Sequence, residues 1–140
     1  RCARVTAVQT CALPIHLSHI IKTKNPYFPK GMKENVVERL FTADNVVIFG
    51  QSLGITDSDY FKPYFYGIIE GKIKRQNIFI VTYNEESFTN IYSNMQECGI
   101  KIEDINKANV DVHLVYTIKG SQSMEFMQML TTLYGCYFKN

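Results

Sequence analysis

No run of about 18 apolar residues occurs in the chain, so a membrane-spanning helix is not expected, and no basic segment followed by an apolar one marks a secretory signal. Cysteine is scarce: four in 140 residues, without C-x-x-C spacing or a closely spaced even framework. That leaves no disulfide scaffold to read, and Cys98 and Cys136 are expected as reduced, buried thiols of a cytoplasmic protein. Histidine is scarcer still. His16 and His19 stand three apart, but no acid or cysteine completes a metal-ligand set, so no metal is expected.

Excess charge is missing too. Lys and Arg number 15 against 13 Asp and Glu, a formal charge of +2, and Arg1 and Arg4 supply that excess. Both lie in a segment unlike the rest: VTAVQTCALPI, residues 5–15, resembles the in-frame translation of a sequencing-library adaptor. Residues 1–15 are therefore set apart as an artefactual segment, the other reading being a genuine N-terminal strand. Without them the charge is balanced, and nothing points to nucleic acid. The remainder is then expected to be the C-terminal part of a longer protein.

What is present is one domain's worth of chain, 46% hydrophobic and 13% aromatic, enough for a core. Residues 16–31, with Pro26, Pro29 and Gly31, read as a connector. From residue 32 to 140 the signals alternate. KENVVERLFTAD places Val36, Val37, Leu40 and Phe41 at helical spacing opposite Lys33, Glu34, Glu38 and Arg39. NVVIFG has the continuous apolar look of a strand buried on both faces. DYFKPYFYGIIEG is an aromatic helix ended by Gly71, with Pro63 either kinking it or opening its second turn. NIFIVTY is a second buried strand. ESFTNIYSNMQECG carries Phe88, Ile91, Tyr92 and Met95 on one stripe and stops at Gly99. VDVHLVY alternates as a third strand, and SQSMEFMQMLTTL is a helix capped by Ser121, with Met124, Met127, Leu130 and Leu133 expected along one core stripe.

Strands alternating with helices make an α/β domain with a parallel sheet, of the Rossmann-like three-layer kind and here expected to be incomplete at its N-terminal side. Ligands of such sheets sit beyond the carboxyl ends of the strands. In this chain those ends are the loops after Phe49, after Thr82 and Tyr83, and after Tyr116.

The first of these loops contains Gly50-Gln51-Ser52-Leu53-Gly54, which satisfies the G-x-S-x-G pattern of a serine hydrolase. That elbow needs the helix to start at once, and a triad needs an acid and then a histidine downstream. Here Ile55 and Thr56 delay the helix, Thr56 with Asp59 makes a capping pattern that starts it around Asp57, and the only later histidine, His113, is mid-strand beside Asp111. The remaining reading is a ligand loop: Gly50 for an unusual φ or close approach, Ser52 for its hydroxyl. Asp57 is either a first-turn acid complementing the helix dipole or a ligand contact.

The stretch VVIFGQSLGITDSDYFKPYF also resembles the AbiH family, bacterial proteins of abortive infection by bacteriophage, whose signature runs G-H-S-L-x-x-T-D-x-D after a hydrophobic strand. Gln51 stands where that family has histidine. The resemblance covers residues 33–140 and implies a phage-defence protein, remotely similar to sirtuin-like NAD-binding domains. In those a strand ends in Gly-x-Ser against the dinucleotide, and the next ends in Asn-x-Glu near the adenosine ribose. Asn84 and Glu86 occupy the latter positions, where a turn residue and a first-turn acid would also serve. By this resemblance Gly50, Gln51, Ser52, Asp57, Asn84 and Glu86 would bind NAD, with no catalytic residue assigned. The resemblance extends to NAD cleavage by the full-length protein, with the fragment alone expected to be inactive. The implied partners are an N-terminal part with a G-N-G-F-D-like segment and further copies of the chain. The alternatives are a non-catalytic sensing or assembly module, using Tyr60, Phe61, Tyr64, Phe65 and Tyr66 as a partner surface, and the serine hydrolase.

Overall fold

The structure, a computed structural model, describes residues 5–8, 31–73, 75–118 and 123–134. Four strands, β1 (Val5–Val8), β2 (Asn45–Phe49), β3 (Gln76–Thr82) and β4 (Val110–Tyr116), form one sheet in the order β1-β2-β3-β4. Every neighbouring pair is parallel. The helices are α1 (Met32–Thr42), α2 (Ser58–Ile69), α3 (Glu85–Glu97), a short α4 (Ile102–Asn106) and α5 (Met124–Tyr134). The α/β architecture read from the sequence is thus present. Its fourth strand, β1, lies within the segment that resembles a translated adaptor. Residues 16–30 of the connector and the expected cap Ser121 lie outside the described residues.

Because strand order follows chain order in one direction, right-handed crossovers put the connecting helices on one face of the sheet. Side chains show that face. Val46, Ile48, Ile78 and Ile80 point to it and pack with Leu40 of α1, Tyr64 and Phe65 of α2, Met95 of α3 and Ile105 of α4. The other face carries a smaller cluster, Phe79, Val81 and Val115 against Met129 of α5. Of the expected core stripe, Leu130 and Leu133 pack on it, whereas Met124 and Met127 are 84% and 51% exposed, because the helix turns Met129 to the sheet instead. The β2 strand departs from the expectation of burial on both faces. Val46 and Ile48 are buried, Val47 is half-buried, and Phe49 is 50% exposed. The reason is topological: the crossover helices cover one side, and α5 packs along β4.

A buried polar clamp joins the first helices to the sheet. Gln76, 1% exposed at the start of β3, accepts a hydrogen bond from the Tyr64 hydroxyl. Its Nε2 donates to the carbonyls of Leu40 at 2.8 Å and Ala43 at 2.6 Å. These are orphan carbonyls at the end of α1, so one side chain satisfies them and is itself fully used. Burial also raises the Tyr64 phenol well above its ordinary value.

The aromatic helix α2 packs closely on α1. A Cβ added at Gly67 would stand 2.7 Å from Phe41 Cζ, so glycine there sets the approach of the two helices. Pro63 sits inside α2 in its second turn. Tyr60, Phe61, Tyr64 and Phe65 are buried, and only Tyr66 of the five aromatics is exposed, at 41%. Core packing uses most of what the sequence offered as a partner surface. At the far end of α3, Gly99 takes φ +80° as expected, its N–H donating to Gln96 O and that of Ile100 to Met95 O, the bond pair of a Schellman stop.

Candidate functional site

The carboxyl edge of the sheet begins where β2 ends. Gly50 adopts φ +62° while its N–H donates to Val81 O at 3.2 Å, tying the end of β2 to β3. An added Cβ would meet nothing within 4 Å, so backbone conformation rather than space calls for glycine there. Leu53 follows at φ +48° with its side chain 2% exposed; core burial holds a non-glycine residue in a left-handed turn. Two turn bonds, Asp57 N–H to Gly54 O at 3.1 Å and Ser58 N–H to Ile55 O at 3.4 Å, lead into α2.

Helical structure starts only at Ser58, so five residues of non-helical chain separate it from Ser52. That is no nucleophile elbow. The Thr56–Asp59 capping pattern is also not made: Asp57 holds the N-cap position, and its side chain makes no capping hydrogen bond. Instead the Ser58 hydroxyl donates to Ile55 O at 2.8 Å, which closes the turn one residue later.

Ser52 is exposed, and its Oγ accepts a long bond, 3.4 Å, from the Gly54 N–H. Its carbonyl accepts from Asn94 Nδ2 at 2.8 Å. Asn94 lies in the third turn of α3, 42 residues away. This amide holds the loop against a helix the next crossover supplies, a tether no local motif could reveal.

At the end of β3, Thr82 is buried and Tyr83 is 61% exposed. Asn84 is the N-cap of α3; its Oδ1 accepts from the Ser87 N–H at 2.9 Å and from the Ser87 hydroxyl at 2.8 Å. That is the turn-residue role open in the sequence, and it engages the carboxamide oxygen while Nδ2 makes no bond among the described residues. Glu85 and Glu86 are exposed first-turn acids that complement the helix dipole. The third loop joins in through the Ile118 N–H, which donates to Tyr83 O at 2.9 Å. Below it the Tyr116 phenol is raised by burial and then by Glu85 and Glu125. The Ser123 hydroxyl accepts from the Phe126 N–H at 3.3 Å, opening α5 two residues beyond the expected cap.

Of the six candidate residues, Gly50, Ser52 and Glu86 are exposed, Asn84 is half-buried, and Gln51 and Asp57 are buried at 3% and 6%. The first four therefore present surface at this edge, and the other two lie inside the loop. Acids dominate the rim. Burial, then Asp57 and Asp59, push the Tyr60 phenol up to about 12. Such a rim opposes phosphate at the start of α2, whereas carboxylates and hydroxyls pair well with sugar hydroxyls.

His113, the only histidine among the described residues, stacks on its cross-strand neighbour Phe79, with centroids 4.8 Å apart and planes at 18°. Its neighbour Asp111 bonds Arg75 at 3.4 Å. These residues are placed by sheet packing, not by Ser52. No group of three or more His, Cys, Asp or Glu among the described residues could hold a metal ion, and no described helix is long and apolar enough to cross a membrane. No family model, curated protein or solved structure matches the chain.

Proposed function

We propose that the carboxyl edge binds the ribose side of a nucleotide, NAD in the first place, and that the chain is the C-terminal portion of an AbiH-like phage-defence protein. The observation that carries the binding reading is the exposed Ser52 hydroxyl on a glycine-started, non-helical loop, at the carboxyl end of the strand adjoining the one that leads to Asn84 and Glu86. Ligands of open parallel sheets collect at such ends. Glu86 accepts from ribose hydroxyls, Ser52 donates or accepts, Asn84 Nδ2 donates, and the Gly50 turn lets the ligand approach the backbone. Gln51 and Asp57 shape the loop from within. The defence role and NAD cleavage rest on the sequence resemblance; the N-terminal part that the family carries would supply the phosphate contacts this acidic rim does not.

Titration calorimetry with NAD tests the reading. Glu86→Gln removes a charged hydrogen-bond partner and weakens binding about 10-fold or more, and Ser52→Ala weakens it about 5-fold, in line with the usual worth of such bonds. An absence of heat with NAD, adenosine and ADP-ribose alike contradicts the proposal. In cells expressing the full-length parent, NAD falls, and Ser52→Ala prevents the fall.

A second reading, a non-catalytic sensing or assembly module, is favoured by the exposed apolar side chains of Phe49, Tyr83 and Ile118 at the same edge. Unchanged cellular NAD with phage protection intact selects it.

A further inference from the structure

The crossover from β3 to β4 is not one helix. It breaks at Gly99, and the chain then turns through Ile100 and Lys101 into the short α4. The Tyr92 hydroxyl, donating to Glu103 Oε1 at 2.7 Å, fastens the two pieces on the outside. Between them and the sheet lies a cavity of about 140 Å³. Ile78, Ile80, Val112 and Leu114 of the strands line it on the sheet side, and Met95, Ile102 and Ile105 on the helix side. Asn106, the one polar side chain lining it among the described residues, is exposed, so the cavity reaches the surface there.

We propose that this cavity is a binding site for a compact, uncharged, apolar group of about the size of a benzene ring. The argument is one of volume and chemistry. Apart from Asn106 at the mouth, the described lining of isoleucine, valine, leucine, methionine and phenylalanine gives a bound water no set of partners, and an apolar cavity of roughly this volume takes up benzene or xenon. No charged residue lines it among the described residues, so an ionised ligand would be desolvated without compensation. Methionine and a two-piece roof allow the walls to adjust to a guest. The site faces the helix-covered side of the sheet, on residues separate from Ser52, Asn84 and Glu86, and stands or falls apart from nucleotide binding.

Benzene itself is the probe. With methyl-labelled Ile and Met, benzene produces saturable shifts at Ile78, Ile80, Ile105 and Met95, while the Ile55 methyl group, 75% exposed, stays fixed. Ile102→Phe, at the half-buried rim, fills part of the space and abolishes the saturation; Val112→Ile, a smaller filling, weakens it if the first variant does not fold. Shifts that rise linearly without saturating, or that are spread evenly over exposed methyl groups, overturn the proposal, as does saturation that Val112→Ile leaves untouched in a folded protein.

Discussion

The two faces of the sheet are built differently. One is roofed by α1, α2, α3 and α4 and holds the larger cluster with the Gln76 clamp; the other has α5 and a small cluster, a polar row of Asn45, Asn77 and Asp111 in register at its amino end, and Phe49 half in solvent. In that row Asn77 Nδ2 donates to Asn45 Oδ1 at 2.8 Å. The same strands serve both faces, so residue type alone does not make the difference. Strand order does, because successive crossovers in one direction stack their helices on one side. A continuous apolar run within a strand, such as Val46–Phe49, need not be covered equally on its two faces.

The contrast is sharpest in cavity-forming substitutions. Ile80→Ala, on the roofed face, is expected to cost about 3–5 kcal/mol in urea unfolding, and Met129→Ala, on the thin face, about 2 kcal/mol, because partly exposed neighbours let water or side chains fill the space. Equal losses would break the comparison. The clamp comes next. Gln76→Met keeps the volume but leaves the Tyr64 hydroxyl and two α1 carbonyls without their partner, an expected loss of about 1–3 kcal/mol. Tyr64→Phe in the same background should then cost less than it does alone, a coupling that a double-mutant cycle reads. Gly67→Ala pits a clash with Phe41 against the better helix propensity of alanine, for a net loss of about 1 kcal/mol. Phe41→Leu should relieve it.

Much of this arrangement was legible in the sequence, because apolar spacing is a local property. The stripes of Val36, Leu40 and Phe41 and of Phe88, Ile91 and Met95 mark helix faces that are half or fully buried as expected, and the glycine stops stand where they were read. The misses have physical reasons. Exposure of Phe49 depends on where helices from other crossovers land, and β2 itself carries no sign of it. The cap of α2 moved because Ser58 found Ile55 O. Gln76 stands just before the apolar run NIFIVTY, and its burial depends on Tyr64 and the end of α1, which no local pattern around it reveals. At the candidate site, the exposure of Ser52 and the delayed helix followed from Ile55 and Thr56. The burial of Gln51 and the Asn94 tether depend on contacts distant in sequence. Asn84 shows the limit from the other side, since one residue type suits a cap and a ligand contact equally.

The smallest effect at neutral pH lies in the Tyr60 phenol, beside Asp57 under the loop. Its pKa is raised in the folded state, so its contribution to stability is fully present below pH 10 and is lost as pH rises from 10 through about 12. Absorbance titration should show a tyrosine ionising late, together with loss of structure, and Tyr60→Phe should remove that part of the alkaline transition.

Amide chemical-shift mapping of the chain during addition of NAD probes the edge most directly. The account expects saturable shifts confined to Gly50–Gly54 and Asn84–Glu86, weakened by Glu86→Gln. Shifts centred elsewhere, or none at ligand concentrations that saturate a millimolar site, would contradict it.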